Sequence, residues 1–255
     1  VIIKKSEREL EKMAAAGAVQ AEVLQQAARM VAPGVTTLEI DQAVEAMIRE
    51  RGGVPTFKGY SGFPGSICAS PDHMVVHGIP NDDPLEEGSI LSIDVGVTLD
   101  GWVADAAVTV PVGEASPVAE KLMDTTRRSL MAAVDACQPG GQLGDISNAV
   151  QTTVEADGFA VVRSLVGHGV GQEMHEDPQI PNFGAAGRGP RLEPGMVLAV
   201  EPMTTVGRPE VYEGDDHWAI YSKDGSLAAH FEFTIAVTGA GPRVLTPWHE
   251  GPGAL

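Results

Sequence analysis

Basic residues are scarce in this chain: 17 Lys and Arg stand against 35 Asp and Glu, for a formal charge of −18 at pH 7 and a pI near 4.6. So acidic a chain lacks the clustered cations that nucleic acid or an anionic membrane surface requires, and neither is expected as its main partner. Cysteine is scarcer still. Cys68 and Cys137 are too few for a disulfide framework and fall in no CxxC or CxxxH pattern, which points to a reducing, cytoplasmic setting. No run approaches the ~20 apolar residues of a membrane span. The opening VIIKKSE lacks the apolar stretch of a secretory signal. No GxGxxG or P-loop pattern follows a strand-like run, which argues against a nucleotide-binding doubly wound fold.

What the chain does have is enough substance for a full core. At 255 residues, 43% of them hydrophobic and 20% charged, it is long enough and ordinary enough in composition to fold without a staple. Most of its acids read as a solubilising surface, and some as groups that hold cations.

The halves resemble each other. Residues 33–52 read PGVTTLEIDQAVEAMIRERG and residues 139–158 read PGGQLGDISNAVQTTVEADG. Between the opening Pro-Gly and the closing Gly, Ile40, Ala43, Val44, Met47 and Ile48 match Ile146, Ala149, Val150, Thr153 and Val154. Each set occupies one face of a helix. Thr36-x-x-Glu39 is a capping box for the first helix, and Gln142-x-x-Asp145 is a weaker one for the second. LEEGSILSID (85–94) then matches LEPGMVLAVE (192–201), so the two matches lie at offsets of 106 and 107 residues. Longer helices are expected before each block, from Leu10 to Val31 and from Ser116-Pro117 to Cys137. The pattern predicts a single α+β domain over residues 1–255. It would be built from a pseudo-repeat of two helix–helix–hairpin halves, about 5–110 and 115–238, with helices gathered on one side of a mostly antiparallel sheet.

Ser89–Val97 and Gly101–Val110 read as a hairpin around the turn signal Asp100-Gly101. A two-residue turn puts Leu99 opposite Trp102, Asp94 opposite Ala107 and Asp105 opposite Gly96. Asp94 and Asp105 then project from one face as diagonal neighbours with Cβ atoms ~7 Å apart or less. That suits two ions ~3.5–4 Å apart. Leu91, Ile93, Val95 and Val97 face the core. The second half offers Glu201 at the end of its apolar strand, and Glu232 in FEFTIAV, where Phe231, Phe233, Ile235 and Val237 take the opposite face. One acid on a half-buried strand is usually a salt-bridge partner; four in repeat-symmetric places point to metal. Among the histidines, His77 in VVHGIP, His168 in VGHGVG and His175 in MHEDP stand out, whereas His73, His217, His230 and His249 read as ordinary core or surface residues.

In order and spacing, Asp94, Asp105, His168, Glu201 and Glu232 resemble the five metal ligands of the methionine aminopeptidases. GYSGFPGSICAS, VVHGIP, LSIDVGV, MHEDP, AVEPM and the late EFT extend the likeness over essentially the whole chain. With no zinc-finger extension and no large helical insert, it resembles the type I, bacterial kind. The resemblance implies the pita-bread fold, a curved, mostly antiparallel sheet with helices on its outer face, and two divalent metal ions (Co2+, Mn2+, Fe2+ or Zn2+). It implies that Asp105 and Glu232 bridge the ions, that Asp94 completes one, and that His168 with Glu201 completes the other. Glu201 would shuttle protons, with His77 and His175 bonding substrate and intermediate. Tyr60, Phe63, Cys68 and Trp218 would line a methionine pocket, with Met174 where an aromatic is common. Phe233 and Ser61 stand where the family usually has His. The implied activity is removal of initiator methionine from nascent or newly made chains when the next residue is small. A monomer in transient contact with the ribosome would serve it. An X-Pro aminopeptidase or prolidase, and a non-catalytic peptide-binding protein on the same fold, are the alternatives.

Overall fold

The structure is a computed structural model that describes residues 1–255. Its first half contains helices α1 (Glu7–Met30) and α2 (Thr37–Glu50), then strands β1 (Val54–Pro55), β2 (Cys68–Pro71), β3 (Met74–Val76), β4 (Ile90–Leu99) and β5 (Trp102–Pro111). Helices α3 (Pro117–Ala136) and α4 (Leu143–Ala156) open the second half. After them come β6 (Ala160–Val161), β7 (Val166–Gly169), β8 (Glu176–Pro181), β9 (Val197–Val200) and β10 (Met203–Thr205). The last strands are β11 (Val211–Glu213), β12 (Ile220–Ser222), β13 (Ala228–His230), β14 (Phe233–Thr238) and β15 (Gly241–Val244).

The matched helices α2 and α4 are both 14 residues long, and each is capped where its sequence places a cap. The Glu39 carboxylate accepts from the Thr36 N–H at 2.8 Å, and Asp145 accepts from the Gln142 N–H at 2.7 Å. The Thr36 cap is reciprocal, its Oγ1 accepting from the Glu39 N–H at 3.2 Å, while at Gln142 the Asp145 N–H goes to the Gln142 main-chain carbonyl at 2.9 Å. Helix α1 starts at Glu7 rather than Leu10, because Ser6 and Glu9 form a further capping box ahead of the apolar stripe. Ile40, Val44 and Ile48 of α2, and Ile146, Val150 and Val154 of α4, are fully buried. Each such side chain contributes ~1.5–3 kcal/mol of burial energy.

All four helices send these faces into one core with the apolar faces of β4, β5, β9 and β14, among them Leu91, Ile93, Leu198 and Ile235. These helix faces share one side of the strands; the acids stand on the opposite strand faces, where Leu10 and Met13 of α1 also cluster with Val103, Val197, Ala199 and Ala236. Every strand pairing is antiparallel. Hydrogen bonding is not continuous, however. It divides the strands into sheets ordered β1-β4-β2 (with β5 on β4), β13-β10-β6, β11-β12-β3 and β15-β14-β9-β7-β8. Part of the reason is the backbone of Glu232, whose N–H leaves its own ladder to donate to the Ala107 carbonyl of β5 at 2.9 Å. That diversion ends one ladder and ties the two halves together.

Candidate metal centre and adjoining pocket

The β4–β5 hairpin has the register its turn requires: Leu99 opposite Trp102, Asp94 opposite Ala107, and Asp105 opposite Gly96. Asp94 and Asp105 thus share a face, and within the hairpin only a glycine and an alanine lie across from them. The tight turn is made by Asp100 and Gly101, both with positive φ, as the right-handed twist of the flanking strands favours.

In the second half β14 pairs with β9, Phe233 opposite Val200, and β13 pairs with β10, His230 opposite Met203. One register runs through both ladders, and it puts Glu201 opposite Glu232 in the gap between them; the Phe231 N–H donates to the Pro202 carbonyl just beyond. On the other side of β9, His168 of β7 lies opposite Ala199, two residues from Glu201 and on its face. Its Nε2 is 3.6 Å from Glu201 and 3.9 Å from Asp105. The halves meet through Thr234, whose Oγ1 accepts from the Asp105 N–H (3.0 Å) and donates to the Asp105 carbonyl (2.8 Å).

Asp94, Asp105, His168, Glu201 and Glu232 line one cavity of 110 Å³, with no Lys or Arg in its wall. Ligand atoms of Asp105, His168 and Glu232 all lie within 4.8 Å of one another. Burial, reinforced by mutual repulsion, raises the carboxyls of Asp94, Glu201 and Glu232 well above their ordinary range, and burial raises Asp105 as well. One oxygen each of Asp94, Asp105 and Glu232 is buried without a hydrogen-bond partner. The His168 Nδ1 is 2.9 Å from the Gly169 carbonyl, which claims its proton and leaves the Nε2 lone pair facing the acids. Burial pushes His168 down to about 4, so the imidazole is neutral at pH 7. Four gathered carboxylates, orphaned oxygens and a neutral imidazole with a free lone pair are the donors of a divalent-metal site, and they fit one.

Comparison with known proteins agrees with that chemistry. Residues 11–239 match the model of metallopeptidase family M24. The chain belongs to this family. Methionine aminopeptidase 1 of Bacillus subtilis is 47% identical over 246 residues, 96% of this chain and 99% of that one. The crystal structure of methionine aminopeptidase from Thermotoga maritima superimposes with a TM-score of 0.95 at 42% identity, covering 96% and 99% of the two chains. Within M24 the chain therefore sits among the methionine aminopeptidases. A prolidase from Pyrococcus furiosus shares the fold at a TM-score of 0.76 and 21% identity, where the match covers 96% of this chain but 65% of that one.

Beside the acids of this M24 peptidase opens a second cavity, of 140 Å³, lined by Phe57, Tyr60, Phe63, Cys68, His77, Asp94, Met174, His175 and Trp218. All five apolar or aromatic residues singled out from sequence meet there. Phe63 and Trp218 stack edge to face at 5.1 Å. Cys68 of β2 lies opposite Asp94, and burial with that neighbouring charge keeps its thiol protonated. His77 takes a left-handed φ of 61°, followed by Gly78, where a Cβ would lie 2.0 Å from the Ala69 carbonyl. His175 packs edge-on against His168, with ring centroids 4.3 Å apart, and meets the Tyr60 hydroxyl at 2.7 Å. His77 and His175 therefore stand on the wall common to both cavities. Ser61 lines neither.

Three features escaped the sequence. Phe57 carries no periodic signal; its ring lies over Gly96, where a Cβ would come within 2.6 Å of it. The Lys5–Glu176 ion pair (2.5 Å, side chains 3% and 7% exposed) braces the segment that carries His175, and it joins residues 171 positions apart. The third is a correction: His230 is no ordinary core residue. Its Nε2 is 3.7 Å from Glu201 and 4.0 Å from Glu232. The signal was present, since alternation puts residue 230 on the face of Glu232, opposite Phe231 and Phe233. Phe233 itself is buried against Trp248, with ring centroids 4.5 Å apart, and points away from the acids. The Trp248 indole N–H in turn donates to the Glu232 carbonyl at 2.8 Å.

Proposed function

We propose that the chain removes N-terminal methionine from nascent or newly made polypeptides whose second residue is small, acting as one catalytic unit to which both halves contribute. The observation that carries this reading is the adjacency of the two cavities, which share His77, Asp94, Met174 and His175. An unbranched apolar side chain fills one, while the bond next to it lies against the donors of the other.

Asp94, Asp105, His168, Glu201 and Glu232 would hold two divalent ions, whose four positive charges balance the four carboxylates. Oxygen-rich ligation with one imidazole suits Mn2+, Fe2+, Co2+ or Zn2+. Ions bound there supply Lewis acidity, which lowers the pKa of a water and polarises a carbonyl. Glu201 takes the proton from the attacking water and passes it to the leaving amine. His77 and His175 donate to the oxygen on which charge develops, and the Tyr60 hydroxyl holds the His175 ring. Phe57, Phe63, Cys68, Met174 and Trp218 exclude water and select the methionine side chain. A branched substrate pays for each misfitted methylene with ~1–3 kcal/mol.

The test is kcat/KM for Met-Ala-Ser, Met-Lys-Ser, Leu-Ala-Ser, formyl-Met-Ala-Ser and Ala-Pro-Gly, with and without added metal. Metal-dependent cleavage of Met-Ala-Ser alone is expected. Preferred cleavage of Ala-Pro-Gly would make this an X-Pro peptidase, and binding without cleavage a peptide-binding protein.

A further inference from the structure

His230 sits deeper beside the acids than any role so far explains. Its backbone is pinned at both groups: the N–H donates to Thr109 Oγ1 at 2.8 Å, and that hydroxyl donates to the His230 carbonyl at 2.8 Å. With its main chain fixed to β5 and its side chain 2% exposed, the imidazole has little room to turn. Its Nε2 is buried with no hydrogen-bond partner, an arrangement that buried polar atoms rarely keep. The charged atoms near it are carboxylate oxygens, Glu201 Oε2 at 3.7 Å and Glu232 Oε2 at 4.0 Å. Facing acceptors, Nε2 is the nitrogen that bears a hydrogen. Glu201 itself lies between two imidazoles, with Oε1 toward His168 and Oε2 toward His230.

We propose that His230 is a positioning residue whose Nε2–H donates to Glu201 Oε2, fixing the carboxylate so that its other oxygen stays beside His168. The inference rests on Glu201 being a metal-holding, proton-carrying group, as set out above. A shift of under about 1 Å closes the contact to an ordinary N–H···O distance. Held in this way, Glu201 cannot swing toward Glu232, and the orientation of both its oxygens is set before substrate arrives.

The experiment compares His230→Gln, whose amide N–H reaches about as far, with His230→Asn, whose amide falls short, and with the apolar His230→Leu. Each variant is assayed for kcat and KM on Met-Ala-Ser and titrated calorimetrically with Mn2+. Loss of a group that orients a metal ligand typically costs about 10–100-fold in metal affinity or activity, so Leu and Asn should lose kcat and Mn2+ affinity on that scale. KM should stay near wild type, and Gln should recover most of the loss. Should Leu fail to fold, Gln against Asn still decides, since both are polar amides. Equal behaviour of Gln and Asn, or wild-type kcat and Mn2+ affinity in Leu, would overturn the proposal. A wild-type protein that binds Mn2+ but cleaves no methionyl peptide would sink the aminopeptidase reading instead, and the Mn2+ titrations would still judge His230.

Discussion

The first half builds its acid pair on an uninterrupted hairpin, ten residues against ten across a two-residue turn. The matching hairpin of the second half is split. β9 and β14 close on the core at one end, β10 and β13 continue the same register at the other, and Glu201 and Glu232 face each other at the break. Its far end carries the excursion that brings Trp218 to the pocket. Two aspartates come as diagonal neighbours from a continuous ladder, two glutamates as an opposed pair from a broken one. The longer side chains come from the break, where the backbone is already diverted to Ala107. The lesson is that near-equal local patterns can serve unequal tasks: the first half gives a continuous ladder and most of the pocket wall, and the second gives the opposed glutamates, His168 and Trp218.

Glu201→Gln tests that division most severely. If the second half supplies the proton carrier, the variant should fold, hold some metal and lose about 10²–10⁴-fold in turnover. Activity within a few-fold of wild type in metal-saturated assays would refute it. The histidines come next. His168→Ala removes a lone pair aimed at the acids and should weaken metal binding in calorimetric titration. His77→Ala and His175→Ala should leave metal binding near wild type and lower kcat. Equal metal loss in all three would mean that the donors and the substrate-facing groups have been confused.

The joint between the halves is tested by Thr234→Val, which keeps the shape but strips the hydroxyl from the Asp105 N–H and carbonyl. Leaving those buried groups unpaired should cost about 1–3 kcal/mol in urea unfolding. It should also loosen metal binding, because Asp105 loses its tether to β14; unchanged unfolding and metal titration would show the halves to be joined elsewhere.

The smallest effect separates α2 from α4. Glu45 of α2 accepts from both Lys58 and Arg49, which hold its carboxyl down at about 2; its counterpart in α4 is the uncharged Gln151. A folded pKa below the unfolded one adds stability that is complete above about pH 4.5 and is lost as pH falls through 2. The carboxylate is partly solvated, so Glu45→Gln should cost under about 1 kcal/mol at pH 7. That difference should shrink in acid and in high salt. A cost that persists unchanged near pH 2 would assign the effect to packing.

Much of this was legible beforehand, for reasons that can be named. The caps at Thr36 and Gln142, the stripes Ile40/Val44/Ile48 and Ile146/Val150/Val154, and the Asp94–Asp105 geometry depend on residues close together in the chain. Periodicity and turn parity therefore suffice for them. The Ser6–Glu9 box was equally local and equally readable, though the apolar stripe alone would start the helix later. His230 was half legible: alternation gave its face, but nothing local says that Glu201 lies across from it.

By itself, then, the sequence determined the four helices, the register of the β4–β5 hairpin and the faces on which the acids stand, because each follows from backbone geometry over a few residues. Only the tertiary structure decided that Thr234 clasps Asp105 across 129 positions, that the Glu232 N–H leaves its ladder for Ala107, that Lys5 braces the His175 segment, and that His230 faces Glu201. Those contacts join segments whose meeting depends on how all four helices and four sheets pack at once. No local pattern holds that information, since the same strand faces could meet other partners until the shared core selects one arrangement.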